Sequence, residues 1–216
     1  MKVGQYYHPT MIDEEGNITW INTHAYDNGL KLMEHSYIGN SVMNAVFGQI
    51  KDHPLRIAWM GDYSDEEQDD AYEHKLMRTA FLHIYNTVYG EDQEKHLIRP
   101  EPMAFDLTST GWYLVNHTQR QYISLDAYMS RNRWEAVWKD WRTGETEAYG
   151  MCINPLSLLT ACGNDRGGGD YHAGFPDYNK VGLWAFDKIE LTQKKPVQYQ
   201  EVMYSFTEQC KEENAA

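Results

Sequence analysis

The segment from Gly163 to His172 holds the densest group of residues that could bind an anion. Three successive glycines, Gly167 to Gly169, leave the backbone able to adopt positive φ and let a ligand approach the amide groups closely. Such amide groups can form an anion-binding nest, and Arg166 could add a bidentate contact to a phosphate or carboxylate. The predicted ligand-binding residues are Asn164, Asp165, Arg166, Gly167, Gly168, Gly169 and Asp170. The spacing matches neither the P-loop nor the dinucleotide-binding pattern GxGxxG, and a mobile surface loop is the alternative interpretation.

Histidine and aspartate side chains supply the candidates for acid–base catalysis, because they can exchange protons with a bound substrate. The candidates are His35, Asp62, His117, Asp170 and His172. Asp62 follows a predicted buried strand, a position where carboxylates often line a crevice. His35 precedes a helix start and His117 lies at a predicted hairpin tip, so structural roles are the alternative for both. The nine histidines form no HxH, HExxH or HxxxH pattern; we therefore predict no metal site and leave the cofactor open.

The balance of charged residues argues against nucleic acid and lipid as partners. The chain has 19 Lys and Arg against 32 Asp and Glu, a net charge of −13. No basic stripe is available to neutralise phosphates. An acidic protein can instead dock on a basic protein surface, although solubility alone also explains this composition.

Cysteine usage and the N-terminal segment predict a cytoplasmic protein. Cys152, Cys162 and Cys210 form no CxxC pair, which suits a reducing compartment. The first nine residues lack the basic patch and apolar run of a signal peptide. No stretch approaches the roughly 18 apolar residues of a membrane span, so we also predict no membrane partner.

The first half of the chain is predicted to contain the elements that position these residues. Alternation from Ile18 to His24 predicts a strand, and a helix is predicted to start after Asn40 or Ser41. The apolar run from Leu55 to Met60 predicts a buried strand. From Met77 to Tyr89 the pattern fits helix and strand almost equally, and we predict a helix followed by a strand.

The second half is predicted to be richer in strands. Residues 111–116 and 121–125 are apolar segments separated by four turn-like residues, which predicts a hairpin. Thr143-Gly144 is a further predicted turn. Segments Val181–Leu191 and Val197–Phe206 are predicted to be closing strands.

Several tryptophans are expected in the core, because burial of their large side chains explains them fully. These are Trp112, Trp134, Trp138 and Trp184. Trp134, Trp138 and Trp141 are spaced at i, i+4 and i+7, which favours a helix, although a strand also fits.

These patterns together predict an α+β fold. We expect one strand-rich domain over residues 1–207, with one to three helices packed on a mainly antiparallel sheet. Residues 208–216 are expected to form a polar C-terminal tail.

Four sequence blocks resemble an uncharacterised family of small proteins of bacteria and their phages. They are KLMEHSYIGN (31–40), AWMGDYSD (58–65), YLVNHT (113–118) and PLSLLTACGNDRGGGDY (155–171). The resemblance implies that the glycine-rich loop, the turn at Asp62 and the hairpin tip at His117 belong to one pattern. It transfers no activity and no catalytic residue. A phage-encoded member would act in the host cytoplasm.

Three functions are carried forward as hypotheses. The first is binding of a small anionic, nucleotide-like ligand by the glycine-rich loop, with Asp62 and His117 approaching from neighbouring strand ends. The second is a hydrolase-like enzyme at the same cluster, with a His/Asp acid–base pair and with or without a metal. The third is an acidic inhibitor that docks on a basic protein surface.

Overall fold

The computed structural model describes residues 5–64, 78–163 and 175–207. The strands are β1 Tyr7–Ile12, β2 Ile18–Ile21, β3 Leu55–Gly61, β4 Leu97–Ile98, β5 Tyr113–Asn116, β6 Gln121–Ser124, β7 Trp134–Lys139, β8 Thr146–Met151, β9 Ala161–Cys162, β10 Lys188–Thr192 and β11 Gln200–Glu201. The helices are α1 Leu32–His35, α2 Ser41–Ile50, α3 Arg78–Tyr89, α4 Leu125–Asn132 and α5 Pro155–Leu159. Three short 3-10 helices cover Thr23–Tyr26, Gln93–Lys95 and Tyr178–Lys180. This is the predicted α+β fold. None of the described helices combines the length and apolar character that crossing a membrane requires.

The main sheet has the strand order β11-β6-β5-β10-β3-β1-β2-β4 and is mostly antiparallel. The strand β10 pairs with the first residues of β3, at Leu55 and Arg56. The strand β9 pairs in parallel with the last part of β3, at Trp59 and Met60. The two ends of β3 therefore have different neighbours, and each end lies beside a different candidate site.

The central strand β3 is buried on both faces of the sheet. Ile57 and Trp59 belong to the larger apolar core, together with Val46 and Phe47 of α2. Ala58 and Met60, which point to the other face, pack in a second core with residues of α3. The alternation of side chains along a strand explains this division. The sheet thus has a helix layer on each side.

Local signals placed the beginning of α2 and the β5–β6 hairpin correctly. The side chain of Asn40 accepts a hydrogen bond from the backbone N–H of Val42 at 2.9 Å, which caps α2 as predicted. Strands β5 and β6 pair in an antiparallel hairpin around residues 117–120. The segment 78–89 is helical throughout, so the predicted change to a strand is wrong. Its apolar residues face the second core at helical spacing.

The helical interpretation of the three tryptophans is wrong. Trp134 and Trp138 lie in β7, which pairs with β8 in a separate two-stranded ribbon. The backbone N–H of Asp140 donates to the carbonyl of Glu145, and Gly144 has φ of 76°, so the chain reverses here. Trp138 is 52% exposed and is not a core residue, whereas Trp184 is fully buried as expected.

The two closing strands are much shorter than predicted. The strand β10 begins at Lys188, because the preceding residues form turns in which Phe186 has φ of 63°. The strand β11 covers Gln200 and Glu201. The residues between them, 193–199, leave the sheet in a loop that contains Pro196. This loop forms one wall of a pocket.

Candidate functional site

A pocket of about 320 Å³ lies on the face of the sheet opposite to the larger core, between β5, β10 and the loop 193–199. Successive residues of β5 and β10 point to opposite faces, so Leu114 and Leu191 enter the core. Their neighbours Val115, Glu190 and Thr192 line the pocket. The other lining residues are His117, Lys194, Lys195, Pro196, Val197, Gln198 and Tyr199.

His117 and Glu190 form a hydrogen-bonded pair at the base of this pocket. Nε2 of His117 lies 2.7 Å from Oε2 of Glu190, and their side chains are 29% and 18% exposed. The backbone N–H of His117 donates to the carbonyl of Lys188 at 2.8 Å, which extends the β5–β10 ladder by one residue. Because a carboxylate only accepts hydrogen bonds, the contact fixes a proton on Nε2 and leaves Nδ1 for a second contact.

Tyr199 contacts Nδ1, the second ring nitrogen of His117. Its hydroxyl lies 3.2 Å from Nδ1 of His117, and the two rings meet edge to face at 5.7 Å. The guanidinium of Arg120 lies 5.5 Å from the centre of the Tyr199 ring. In the neutral imidazole the tyrosine hydroxyl donates to Nδ1, and in the imidazolium Nδ1–H donates to the hydroxyl oxygen. Glu190, His117 and Tyr199 therefore form one hydrogen-bonded chain at the pocket.

Two lysines give the pocket its positive charge. The backbone N–H of Lys194 donates to the hydroxyl of Thr192 at 3.3 Å, and this hydroxyl donates to Asp52 at 2.8 Å. Nζ of Lys195 lies 5.9 Å from the centre of the Tyr122 ring. Hydrogen bonding to the Tyr122 hydroxyl and the charge of Glu201 raise the pKa of Lys195, so this side chain is an ammonium at neutral pH. Lysine ammonium groups bind phosphate and carboxylate oxygens.

His35, another predicted catalytic candidate, is fully buried. The indole N–H of Trp59 donates to Nε2 of His35 at 2.9 Å. The proton therefore sits on Nδ1, which donates to the carbonyl of Gly29 at 3.0 Å. Burial lowers the pKa of His35 to about 4. Both nitrogens are thus used inside the protein, and the geometry indicates a packing role for this histidine.

Asp62 lies at the far end of β3 from the pocket. Its Oδ1 accepts the backbone N–H of Tyr6 at 3.0 Å, and its carbonyl accepts the hydroxyl of Tyr85 at 2.6 Å. His117 is aligned through Lys188 with Arg56, and Asp62 is six residues further along β3. At the rise of a strand this is about 20 Å. His117 and Asp62 therefore do not approach one another as the sequence hypothesis expected.

The glycine-rich segment begins beside Asp62. Because Met60 pairs in parallel with Cys162, Gly163 follows β9 at the same end of the sheet at which β3 ends at Gly61. Gly163 is tightly packed, since a Cβ atom there would collide with the Tyr7 hydroxyl. The predicted ligand-binding residues 164–170 and the candidate His172 lie outside the described residues. Among the residues that are described, no group of three or more His, Cys, Asp or Glu side chains could hold a metal ion.

Comparisons with models of protein families, with curated proteins and with solved structures gave no match.

Sequence reasoning found His117 and missed its partners. Glu190 and Tyr199 are 73 and 82 residues away along the chain. One signal was present, because Lys194 and Lys195 are adjacent basic residues in an acidic chain and precede a proline. That combination favours an exposed loop with concentrated positive charge.

Proposed function

We propose that this protein binds a small anionic ligand in the pocket formed by His117, Lys194 and Lys195. The observation that carries the proposal is that two lysines, Lys194 and Lys195, outnumber the carboxylate of Glu190 in the lining of one concavity, in a chain whose net charge is −13. In a protein with such an overall charge, a local excess of positive charge favours an anion at that place over the rest of the surface.

The size and lining of the pocket narrow the ligand class. A volume of about 320 Å³ is at the lower end of small-molecule sites, which favours a compact molecule such as a mononucleotide or a sugar phosphate. The lysines would contact the anionic group, and Val115 and Tyr199 would contact its organic part.

The glycine-rich segment remains an alternative place for the same class of ligand. In that version Arg166 and the residues Asn164 to Asp170 hold the anion. The parallel ends of β3 and β9 support it, because ligands of sheet proteins often bind beyond the carboxyl ends of parallel strands.

A thermal-shift titration with inorganic phosphate, a nucleoside monophosphate and a sugar phosphate tests the proposal. A ligand at 100 times its dissociation constant adds about 2.7 kcal/mol, or roughly 5–11 °C in Tm for a chain of this size. Lys195→Ala should reduce this shift. Lys95→Ala is the matched control, because Lys95 is an exposed lysine paired with Asp92 beside β4, at the other end of the sheet.

Each outcome of the titration has a defined meaning. A shift that Lys195→Ala reduces and Lys95→Ala retains supports the pocket. A shift that survives Lys195→Ala and disappears in Arg166→Ala moves the ligand to the glycine-rich segment. If none of the three compounds stabilises the wild-type protein, the proposal of an anionic ligand is refuted.

The 2.7 Å contact between His117 and Glu190 favours a second function at the same pocket, hydrolysis with His117 as general base. Glu190 would orient the imidazole and stabilise its protonated form. A screen of phosphate esters should then show turnover that falls about 100-fold or more in His117→Gln. Binding without turnover would leave only the first function.

A further inference from the structure

The ribbon formed by β7 and β8 exposes an unusual amount of apolar surface. Val137 is 66% exposed, Trp138 52%, Trp141 81% and Tyr149 46%. Among the described residues the ribbon pairs with no strand of the main sheet. An isolated two-stranded hairpin is marginally stable in water, and exposed apolar patches mark interaction sites. The ribbon therefore has the exposed apolar surface expected of a protein-interaction site.

The outer edge of β7 offers unpaired backbone groups. The backbone N–H of Asp140 donates to the backbone carbonyl of Glu145 across the ribbon at 2.9 Å. Because backbone direction alternates along a strand, the N–H and C=O groups of Glu135, Val137 and Lys139 point away from β8. Within the described part of the chain, no residue bonds to these groups. An edge of this kind is a template for another strand.

We propose that this edge pairs with the same edge of a second copy of the chain, in antiparallel register about a two-fold axis at Val137. In this register the residues whose backbone groups point away from β8 lie opposite one another. Val137 lies opposite its own copy, and Glu135 lies opposite Lys139 of the other copy, twice by symmetry. Side chains directly opposite on antiparallel strands share a face, so each pair joins opposite charges. The sequence of β7 is thus complementary to itself in this register.

The same register covers the exposed tryptophan. Ala136 would lie opposite Trp138 of the second copy, on the face that also carries Tyr149, which pairs with Ala136 within the ribbon. The small alanine side chain leaves room for the indole. The two ribbons would form one four-stranded sheet with a continuous apolar stripe. Such a sheet is more stable in water than the two-stranded ribbon of one copy alone.

The outer edge of β8 fits a second copy less well. Its base is already bonded to the body of the protein, because Ile38 donates its N–H to the carbonyl of Cys152 at 2.9 Å. The equivalent symmetric register about Ala148 would place Thr146 opposite Gly150, with no charge pair. The geometry therefore selects β7. This inference does not depend on the proposed ligand.

Charge reversal tests the register directly. Sedimentation velocity of the full chain, from low to high micromolar concentration, should show a reversible species of twice the 25.2 kDa monomer mass. Glu135→Lys alone or Lys139→Glu alone puts like charges opposite each other in both symmetric pairs and should weaken the dimer roughly tenfold. The double variant Glu135→Lys/Lys139→Glu should restore dimerisation to within about twofold of the wild type. Failure of the double variant to restore it overturns the proposed register.

A matched pair of proline variants tests which edge is used. The N–H groups of Val137 and Ala148 both point outward, and the two residues are partners in the ribbon. Proline is tolerated at such positions but cannot donate to a new strand. Val137→Pro should give a monomer, and Ala148→Pro should still dimerise. The reverse result would assign the pairing to β8. A wild-type chain that stays monomeric at every concentration would refute self-association and leave the edge to a strand of a different protein.

Discussion

Mild acid should destabilise this protein through His35, although that residue lies far from the solvent. The imidazole is fully buried, accepts the indole N–H of Trp59 and donates to the carbonyl of Gly29. Burial lowers its pKa to about 4, against 6.5 as the ordinary value. The folded protein therefore holds the neutral ring down to about pH 4, and the unfolded chain takes up a proton below about pH 6.5.

The size of the effect follows from this difference in pKa. A group whose pKa is lowered by folding contributes its full stability above the unfolded value and loses it as the pH falls toward the folded value. Each pH unit in this interval costs about 1.4 kcal/mol. Between pH 6.5 and 5 the loss from His35 is about 2 kcal/mol. Burial also lowers the pKa of His8 to about 4, so His8 adds to the loss in the same interval.

Urea unfolding of the wild type and of His35→Gln, each at pH 7 and pH 5, isolates the contribution of His35. Glutamine can both donate and accept hydrogen bonds but does not titrate. The variant should be less stable at pH 7, and its free energy of unfolding should fall about 2 kcal/mol less than that of the wild type on acidification. With a urea m-value of about 2.5 kcal/mol/M, the difference is roughly 0.8 M in midpoint.

The control is His53→Gln, which removes an exposed histidine from the same chain. If wild type and His35→Gln lose the same free energy of unfolding between pH 7 and pH 5, His35 is not a buried neutral group and the reasoning fails.

Three further variants test the framework of the fold by urea unfolding. Asn40→Ala removes the cap of α2 and should cost about 1 kcal/mol; no change would mean that the observed cap is not needed. Gly163→Ala places a Cβ against the hydroxyl of Tyr7 and should cost about 1–3 kcal/mol. An unchanged urea midpoint would show that Tyr7 moves aside without a loss of stability. Asn116→Ala removes the amide that donates to the buried carboxylate of Asp187 at 2.8 Å; a loss of about 1–3 kcal/mol is expected, and a neutral effect would contradict the importance of this contact.

Elements governed by local chemistry were predictable from the sequence. The start of α2 depends on one side chain, Asn40, and its neighbours along the chain. The buried strand β3 depends on a short apolar run, and the β5–β6 hairpin on two such runs around a turn. These signals lie within a few residues of the structure that they determine.

The tryptophan ribbon shows how a correct spacing can give the wrong element. Trp134 and Trp138 are four residues apart, which places them on one face of a helix. Four is also an even number, so the same two residues share one face of a strand. Trp141 lies in the turn beyond β7 and carries no periodicity. Only the pairing with β8, which is set by the turn at Gly144, separates the two interpretations.

The pocket could be predicted only in part because it is made by long-range strand pairing. His117 follows from the hairpin tip. Its contact with Glu190 requires that β10 pair with β5 in one register, since a shift of one residue would turn Glu190 to the core. The position of Tyr199 depends on the loop that leaves β10 after Thr192. Neither the β5–β10 register nor the course of this loop is determined by residues close to His117 in the sequence.

The two groups of residues proposed to bind an anion can be distinguished by combining their variants. Gly163, the described residue that precedes the glycine-rich segment, lies beside Gly61, whereas His117 is aligned with Arg56, about 17 Å away along the strand. Variants at sites that do not interact have additive effects on free energy. If one ligand binds only in the pocket, the double variant Lys195→Ala/Arg166→Ala should show the thermal shift of Lys195→Ala alone. If both places bind the ligand independently, each single variant should remove part of the stabilisation and the double variant the sum.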